Sequence, residues 1–151
     1  MKKWIVLVAC LVLSVMAFAE FSLGVIAGDP SGLSARLGVS RNVSLDLAAA
    51  YSFLWGLKGF HVHADFVYVD PDLFRIQNTR IPVYLGGGVR YVGSGAGGDY
   101  LVSVRVPVGM MLPFYIQRAP FEFFLELAPT VDLLPQTGFT VSFGIGVRYR
   151  F

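Results

Sequence analysis

Hydrophobicity that alternates with a period of two, in one segment after another, constrains this chain more than any other feature. The closing stretch GFTVSFGIGVRYRF puts Phe139, Val141, Phe143, Ile145, Val147, Tyr149 and Phe151 on one side. Thr140, Ser142, Gly144, Gly146, Arg148 and Arg150 fall on the other. A β-strand sends successive side chains to opposite faces, so such a segment has one apolar face and one small or polar face. The same alternation predicts strands over 20–28, 33–40, 43–55, 60–69, 80–92, 100–112, 121–128 and 138–151. The pieces between them (GDPSG, RN, GLKG, DPDLFRIQNT, GSGAGGD, PFYIQRAP and PTVDLLPQTG) are rich in Gly, Pro, Asn and Asp, which supply turn chemistry. No interior segment carries a helical period. Evenly spaced strands of this kind predict an all-β meander.

Sorting residues by face sharpens the expectation. One face of 43–55 is Val43, Leu45, Leu47, Ala49, Tyr51, Phe53 and Trp55; one face of 60–69 is Phe60, Val62, Ala64, Phe66 and Tyr68. Across all the segments this face carries no charge. The opposite face collects Arg36, Asp46, His61, His63, Asp65, Arg90, Arg105, Glu122, Glu126, Arg148 and Arg150 among Gly, Ser and Ala. A soluble barrel turns its apolar face inward, and a membrane barrel turns it outward to lipid. Three features favour the second arrangement. The bulky Phe, Tyr and Trp side chains would overfill an eight-stranded interior. Gly86, Gly88, Gly109, Gly144 and Gly146 suit a cramped lumen. Aromatic residues (Tyr51, Trp55, Phe60, Tyr68, Tyr91, Tyr100, Phe121, Phe139, Phe151) fall near strand ends, where interfacial girdles belong. Several segments have the roughly 9–11 residues a tilted spanning strand needs, and 20–28, 33–40 and 121–128 are marginal. Pro82 lies near a strand start, and Pro107 is expected to mark a bulge.

A chain of 151 residues makes one domain. Its composition is 55% hydrophobic and only 15% charged, against about a quarter in soluble domains. The N-terminal stretch MKKWIVLVACLVLSVMAFAE has Lys2 and Lys3, an uncharged apolar run and Ala17-Phe18-Ala19, the layout of a secretory signal peptide cleaved after Ala19. A retained anchor and lipidation of Cys10 in a lipobox-like LVAC are the rival readings. Cleavage after Ala19 leaves a mature chain of 20–151 without cysteine, hence without disulfides. Setting Lys2 and Lys3 aside, ten basic residues face ten acidic ones, which argues against nucleic acid as a partner.

The closing segment resembles the C-terminal strand of bacterial outer-membrane proteins, which ends in Phe and alternates apolar residues before it. Phe143, Ile145, Val147, Tyr149 and Phe151 match that pattern. The resemblance implies that these residues form a signal read by the barrel-assembly machinery. The mature chain looks like a small barrel of the OmpA/OmpX type, and resembles uncharacterised small-barrel families with segments such as YLGGGVRY, VRVPVGM and FEFFLELAP. Its connections are short, unlike the long extracellular loops of OmpX-type barrels, which speaks against adhesion by loops.

His61, His63 and Asp65 share a strand face. They read either as a lumenal polar ladder or as a metal or acid–base site. Ser52 and Ser103 are possible partners if the fold brings them close. Neither YLGGGVRY nor GSGAGGD is followed by the Lys-Ser/Thr or the helix that a phosphate loop requires. The inward charges Arg90, Arg105, Glu122, Glu126, Arg148 and Arg150 are expected to pair and plug the lumen, with Glu126 within reach of Arg105; an ion path is the alternative. The expectation is an eight-stranded antiparallel up-and-down transmembrane β-barrel of the bacterial outer membrane, its termini on the periplasmic side. Its expected role is structural or interactive, with outer-membrane lipids as surroundings, no enzymatic activity, no cofactor and no metal. A lipid-modifying enzyme using His61 or His63 and a narrow pore are the alternatives. Oligomeric state and ligand stay open.

Overall fold

The computed structural model describes residues 20–53, 58–77, 79–94 and 98–151. The expected signal peptide with its Ala19 cut, Cys10 and Trp55 lie outside the described residues. The described chain is all-β: β1 (Phe21–Asp29), β2 (Ser31–Gly38), β3 (Val43–Ser52), β4 (Gly59–Ile76), β5 (Thr79–Gly93), β6 (Tyr100–Arg105), β7 (Val108–Ile116), β8 (Ala119–Leu134) and β9 (Gly138–Arg150). Each strand runs antiparallel to its neighbours. The first and last strands pair, from Ser22↔Arg150 to Asp29↔Phe143, so the sheet closes into a ring. β6 and β7 are two halves of one wall, which leaves eight positions around the ring.

The break between the halves falls at Val106 and Pro107. Proline has no N–H to give a ladder. Closure survives because the Gly86 N–H donates to Pro107 O at 2.9 Å and the Val106 N–H to Pro129 O at 2.9 Å. The sequence placed a bulge here in a single strand 100–112; the ladder is interrupted outright.

Other boundaries also move. DPDLFRIQNT, read as a connection, is mostly ladder. β4 and β5 stay paired down to Ile76↔Thr79, with a register shift between Asp70 and Phe74 that accommodates Pro71. PFYIQRAP and PTVDLLPQTG are likewise largely absorbed, because β7 and β8 pair to Ile116↔Ala119 and β8 runs on to Leu134. β2 begins at Ser31, two residues earlier than the alternation suggested, and β3 ends at Ser52.

The two ends differ. The described chain begins and ends at one end of the ring, where the Phe151 N–H donates to Phe21 O at 2.8 Å. Turns at that end include the short 39–42 and 117–118. Connections at the far end include the longer 53–58 and 94–99.

Side-chain placement is inside-out relative to a soluble domain. Val25, Leu33, Phe66, Leu85, Val89, Val104, Leu125 and Ile145 project outward and are exposed. Arg36, Asp46, His61, His63, Asp65, Arg90, Arg105, Glu122, Glu126 and Arg148 project inward and are buried. The interior also holds Ile26, Val67, Tyr84, Met111 and Phe124 in one apolar cluster, bulkier than the Gly, Ser and Ala expected there. Glycines make room for them. A Cβ on Gly109 would run into the Tyr84 ring, and one on Gly146 into the Phe124 ring.

Candidate functional site: the polar interior of the ring

Two groups of side chains fill the interior. In the half toward the termini, Arg36 on β2 forks onto Asp46 of β3, Nε to Oδ1 at 2.6 Å and Nη2 to Oδ2 at 2.5 Å. The pair is cross-strand because Arg36 and Asp46 are register partners. Arg148 on β9 reaches Asp46 at 3.4 Å and Glu122 at 3.1 Å, and donates twice to Ser34 Oγ at 2.9 and 3.0 Å. Ser22 Oγ donates to Glu122 at 3.2 Å. The Arg148 guanidinium lies over the Phe124 ring at 3.9 Å and that of Arg36 over Tyr84 at 4.8 Å. Arg36 Nη1 also contacts Met111 Sδ. Each arginine here is hydrogen-bonded to at least one carboxylate, the arrangement that makes buried charge tolerable.

A polar vestibule of about 590 Å³ opens beside this group, with Glu20, Arg41, Pro82 and Arg150 on its wall. Arg150 therefore stands apart from the buried network in which the sequence placed it. It is half-exposed, with Glu20 at 3.5 Å as its ion-pair partner, because it is the last residue of β9 and sits at the rim.

The second group starts near the far end. Ser52 Oγ lies 2.9 Å from His61 Nδ1, and His61 Nε2 lies 2.9 Å from His63 Nδ1. Arg105 Nη1 meets that same His63 nitrogen at 2.7 Å, and Arg105 Nη2 meets Glu126 Oε1 at 2.5 Å. Glu126 Oε2 accepts from Tyr84 Oη at 2.8 Å. Donor and acceptor types assign the tautomers. Arginine only donates, so His63 Nδ1 accepts. His61 Nε2, facing that nitrogen, carries the proton, and a neutral His61 then offers Nδ1 to the Ser52 hydroxyl. Behind His63, Asp65 Oδ2 lies 3.7 Å from Nε2 and 3.3 Å from Arg105 Nε. Neither Asp65 oxygen has a hydrogen-bond donor although the side chain is fully buried.

Beside this chain, Arg90 Nη2 binds Asp132 at 2.7 Å, and Ser103 Oγ donates to the same carboxylate at 2.6 Å. Ser103 thus belongs to Arg90 rather than to either histidine. Among the sequence-predicted charges, Arg105 and Glu126 meet, Arg148 and Glu122 meet, and Arg90 pairs with neither glutamate. Tyr84, Asp132, Ser22 and Ser34 were not singled out. Tyr84 shares the parity of Gly86, Gly88 and Arg90, which is the signal that could have found it. Asp132 was hidden inside a presumed connection.

His63, Asp65 and Glu126 bring ligand-type atoms within 4.8 Å of one another. The Arg105 guanidinium touches all of them, so a cationic group already sits where a metal ion would. Phe143, Ile145, Val147, Tyr149 and Phe151, the residues that resemble an outer-membrane closing strand, line the outer face, and Phe151 stacks on Phe21 with centroids 5.5 Å apart. Comparison of the chain with family models, curated proteins and solved structures finds no match.

Proposed function

We propose that this chain is a small β-barrel of a bacterial outer membrane with a structural or interactive role, its interior sealed by paired charges. One observation carries the reading: Arg, Asp, Glu and His side chains are buried inside the ring while its outer wall is an uninterrupted apolar belt. Water outside would leave that belt exposed on every side, far beyond the few hundred Å² of contiguous apolar surface usual for a soluble monomer. Hydrocarbon outside removes the conflict, and a closed ring leaves no backbone edge unpaired in lipid.

Aromatic placement supports the same reading. At the terminal end Phe21, Phe151, Tyr149, Phe121 and Phe114 form a continuous series of ring contacts with centroids 4.8–5.6 Å apart. At the far end Tyr51, Phe60, Tyr91, Tyr100 and Phe139 are exposed on the outer wall. Two such belts flank an aliphatic middle, as interfacial girdles do. The two longest connections, 53–58 and 94–99, lie opposite the end that holds Phe151, which supports a periplasmic placement of that end. The plug reading rests on Arg105, Arg148, Tyr84 and Phe124, all fully buried inside the ring.

The test is refolding into phosphatidylcholine vesicles, then protease digestion and planar-bilayer recording. A protease-resistant, membrane-retained, electrically silent protein is the expected result. Protein that stays soluble and monomeric without lipid or detergent overturns the membrane reading, and stable conductance replaces the plug with a pore.

A further inference from the structure

We infer that Ser52, His61 and His63 form a nucleophilic triad for acyl transfer, acting on small carboxylic esters. This goes beyond the envelope reading and does not depend on it. An activated serine requires a base within hydrogen-bond reach, with a third group holding that base in the correct tautomer. Both links are present at 2.9 Å. The second link is the informative one. His63 Nδ1, committed as an acceptor by Arg105, obliges His61 to carry its proton on Nε2, which leaves the Nδ1 lone pair facing the serine hydroxyl.

Register explains how the chain is built. β3 and β4 pair Ser52↔Gly59, Ala50↔His61, Ala48↔His63 and Asp46↔Asp65. Ser52 is therefore the outermost member, with His61, His63 and Asp65 each one step deeper. Alanines at 48 and 50 give the imidazoles lateral room. Ser52 is only 3% exposed, so the acyl donor must be slender, and the inward placement excludes attack on lipid held against the outer wall.

An imidazolium forms on His61 as the proton leaves Ser52. Arg105 is the guanidinium bonded to His63, and it is met by two carboxyl groups, Glu126 at 2.5 Å and Asp65 at 3.3 Å. Arg90 is separately matched by Asp132. The Asp65 carboxyl lies behind His63, 3.7 Å from its Nε2. In the reaction Ser52 Oγ bonds to the carbonyl carbon and its proton passes to His61 Nδ1. The bond to the leaving alcohol breaks, and the alcohol takes that proton. Water then attacks the acyl-serine with His61 again as base, releasing a carboxylic acid and restoring the serine. Ser52 and His61 are the catalytic residues; His63 is a positioning residue.

The experiment treats the folded chain in detergent micelles with a small fluorophosphonate, maps the adduct by peptide mass spectrometry, and follows p-nitrophenyl acetate hydrolysis in parallel. A single adduct on Ser52 is expected, absent in Ser52→Ala. His61→Gln should slow labelling and hydrolysis by about 100-fold. His63→Leu should slow both by about tenfold or more. His63→Asn, whose amide oxygen can accept the His61 proton, should recover most of that loss, a rescue that a space-filling role for His63 would not produce. Folded wild-type protein that takes no label, or takes it on another serine, overturns the triad. Labelling unaffected by His63→Leu overturns the positioning role. Labelling needs only the folded ring, so its failure is distinguishable from failure to insert into vesicles.

Discussion

The two halves of the interior handle buried charge differently. Toward the termini, Arg36, Asp46, Arg148 and Glu122 interlock so that every guanidinium is hydrogen-bonded to a carboxylate. Around the histidines, Asp65 has two buried oxygens without a donor, Arg105 Nε has no acceptor within hydrogen-bond geometry, and His63 Nδ1 takes two donors on one lone pair. The first half is a closed set in which each group holds its neighbour. The second retains unspent hydrogen-bonding capacity. A satisfied network fixes structure, and one that is incompletely satisfied is where chemistry has scope.

The largest effect should come from breaking the closed set. Arg148→Met leaves Glu122 without its guanidinium partner, although Asp46 keeps Arg36, and removes a cation stacked on Phe124. It is expected to cost about 3–5 kcal/mol in reversible urea unfolding from lipid vesicles. A loss below about 1 kcal/mol would mean that the terminal half is no staple and that the contrast between the halves fails.

The outer wall sets a reference for both halves. Val104 projects outward from β6, and Val104→Arg should cost about 2–4 kcal/mol in vesicles if the belt meets hydrocarbon. The same substitution left harmless in a bilayer would reverse the inside-out assignment to the membrane.

At the boundary between the halves, Arg105 and Glu126 offer a finer comparison. Glu126→Gln and Arg105→Met should each destabilise the ring. The double variant should recover part of the summed loss, with a coupling of about 0.5–3 kcal/mol in a double-mutant cycle. Strictly additive losses would show that the 2.5 Å contact carries no energetic interaction.

The smallest effect belongs to the unsatisfied carboxyl. Asp65→Asn removes a group with no hydrogen-bond donor while Glu126 still neutralises Arg105, so the expected loss is no more than about 1 kcal/mol. If Asp65→Asn proves as costly as Arg148→Met, the second half is as tightly built as the first.

What could be read directly was the side each residue takes. Period-two alternation separates faces without knowledge of the partner strand, so parity alone groups His61, His63, Arg90, Arg105, Glu126 and Arg148 on one face and Phe143, Ile145, Val147 and Tyr149 on the other; bulky apolar residues and glycines then indicate which face turns inward. Lengths were harder. Pro71, Pro113, Pro120 and Pro129 look like punctuation in a sequence, yet all four lie within paired strands. Pro71 sits at a register shift and Pro129 faces the break at Val106, neither of which leaves a local signature.

Sequence alone therefore determined the chemistry of the two surfaces: an uncharged wall and a charged interior, arranged on antiparallel strands. Only the tertiary structure decided who meets whom inside. Parity assigns a face but no height, and height depends on how far each strand is staggered against the next as the sheet closes. That stagger sets Arg90 beside Asp132 rather than Glu126, lifts Arg150 to the rim, and places Ser52 against His61 across the β3–β4 ladder. Ring closure then brings side chains such as Ser22 and Glu122, a hundred residues apart in sequence, within 3.2 Å of each other.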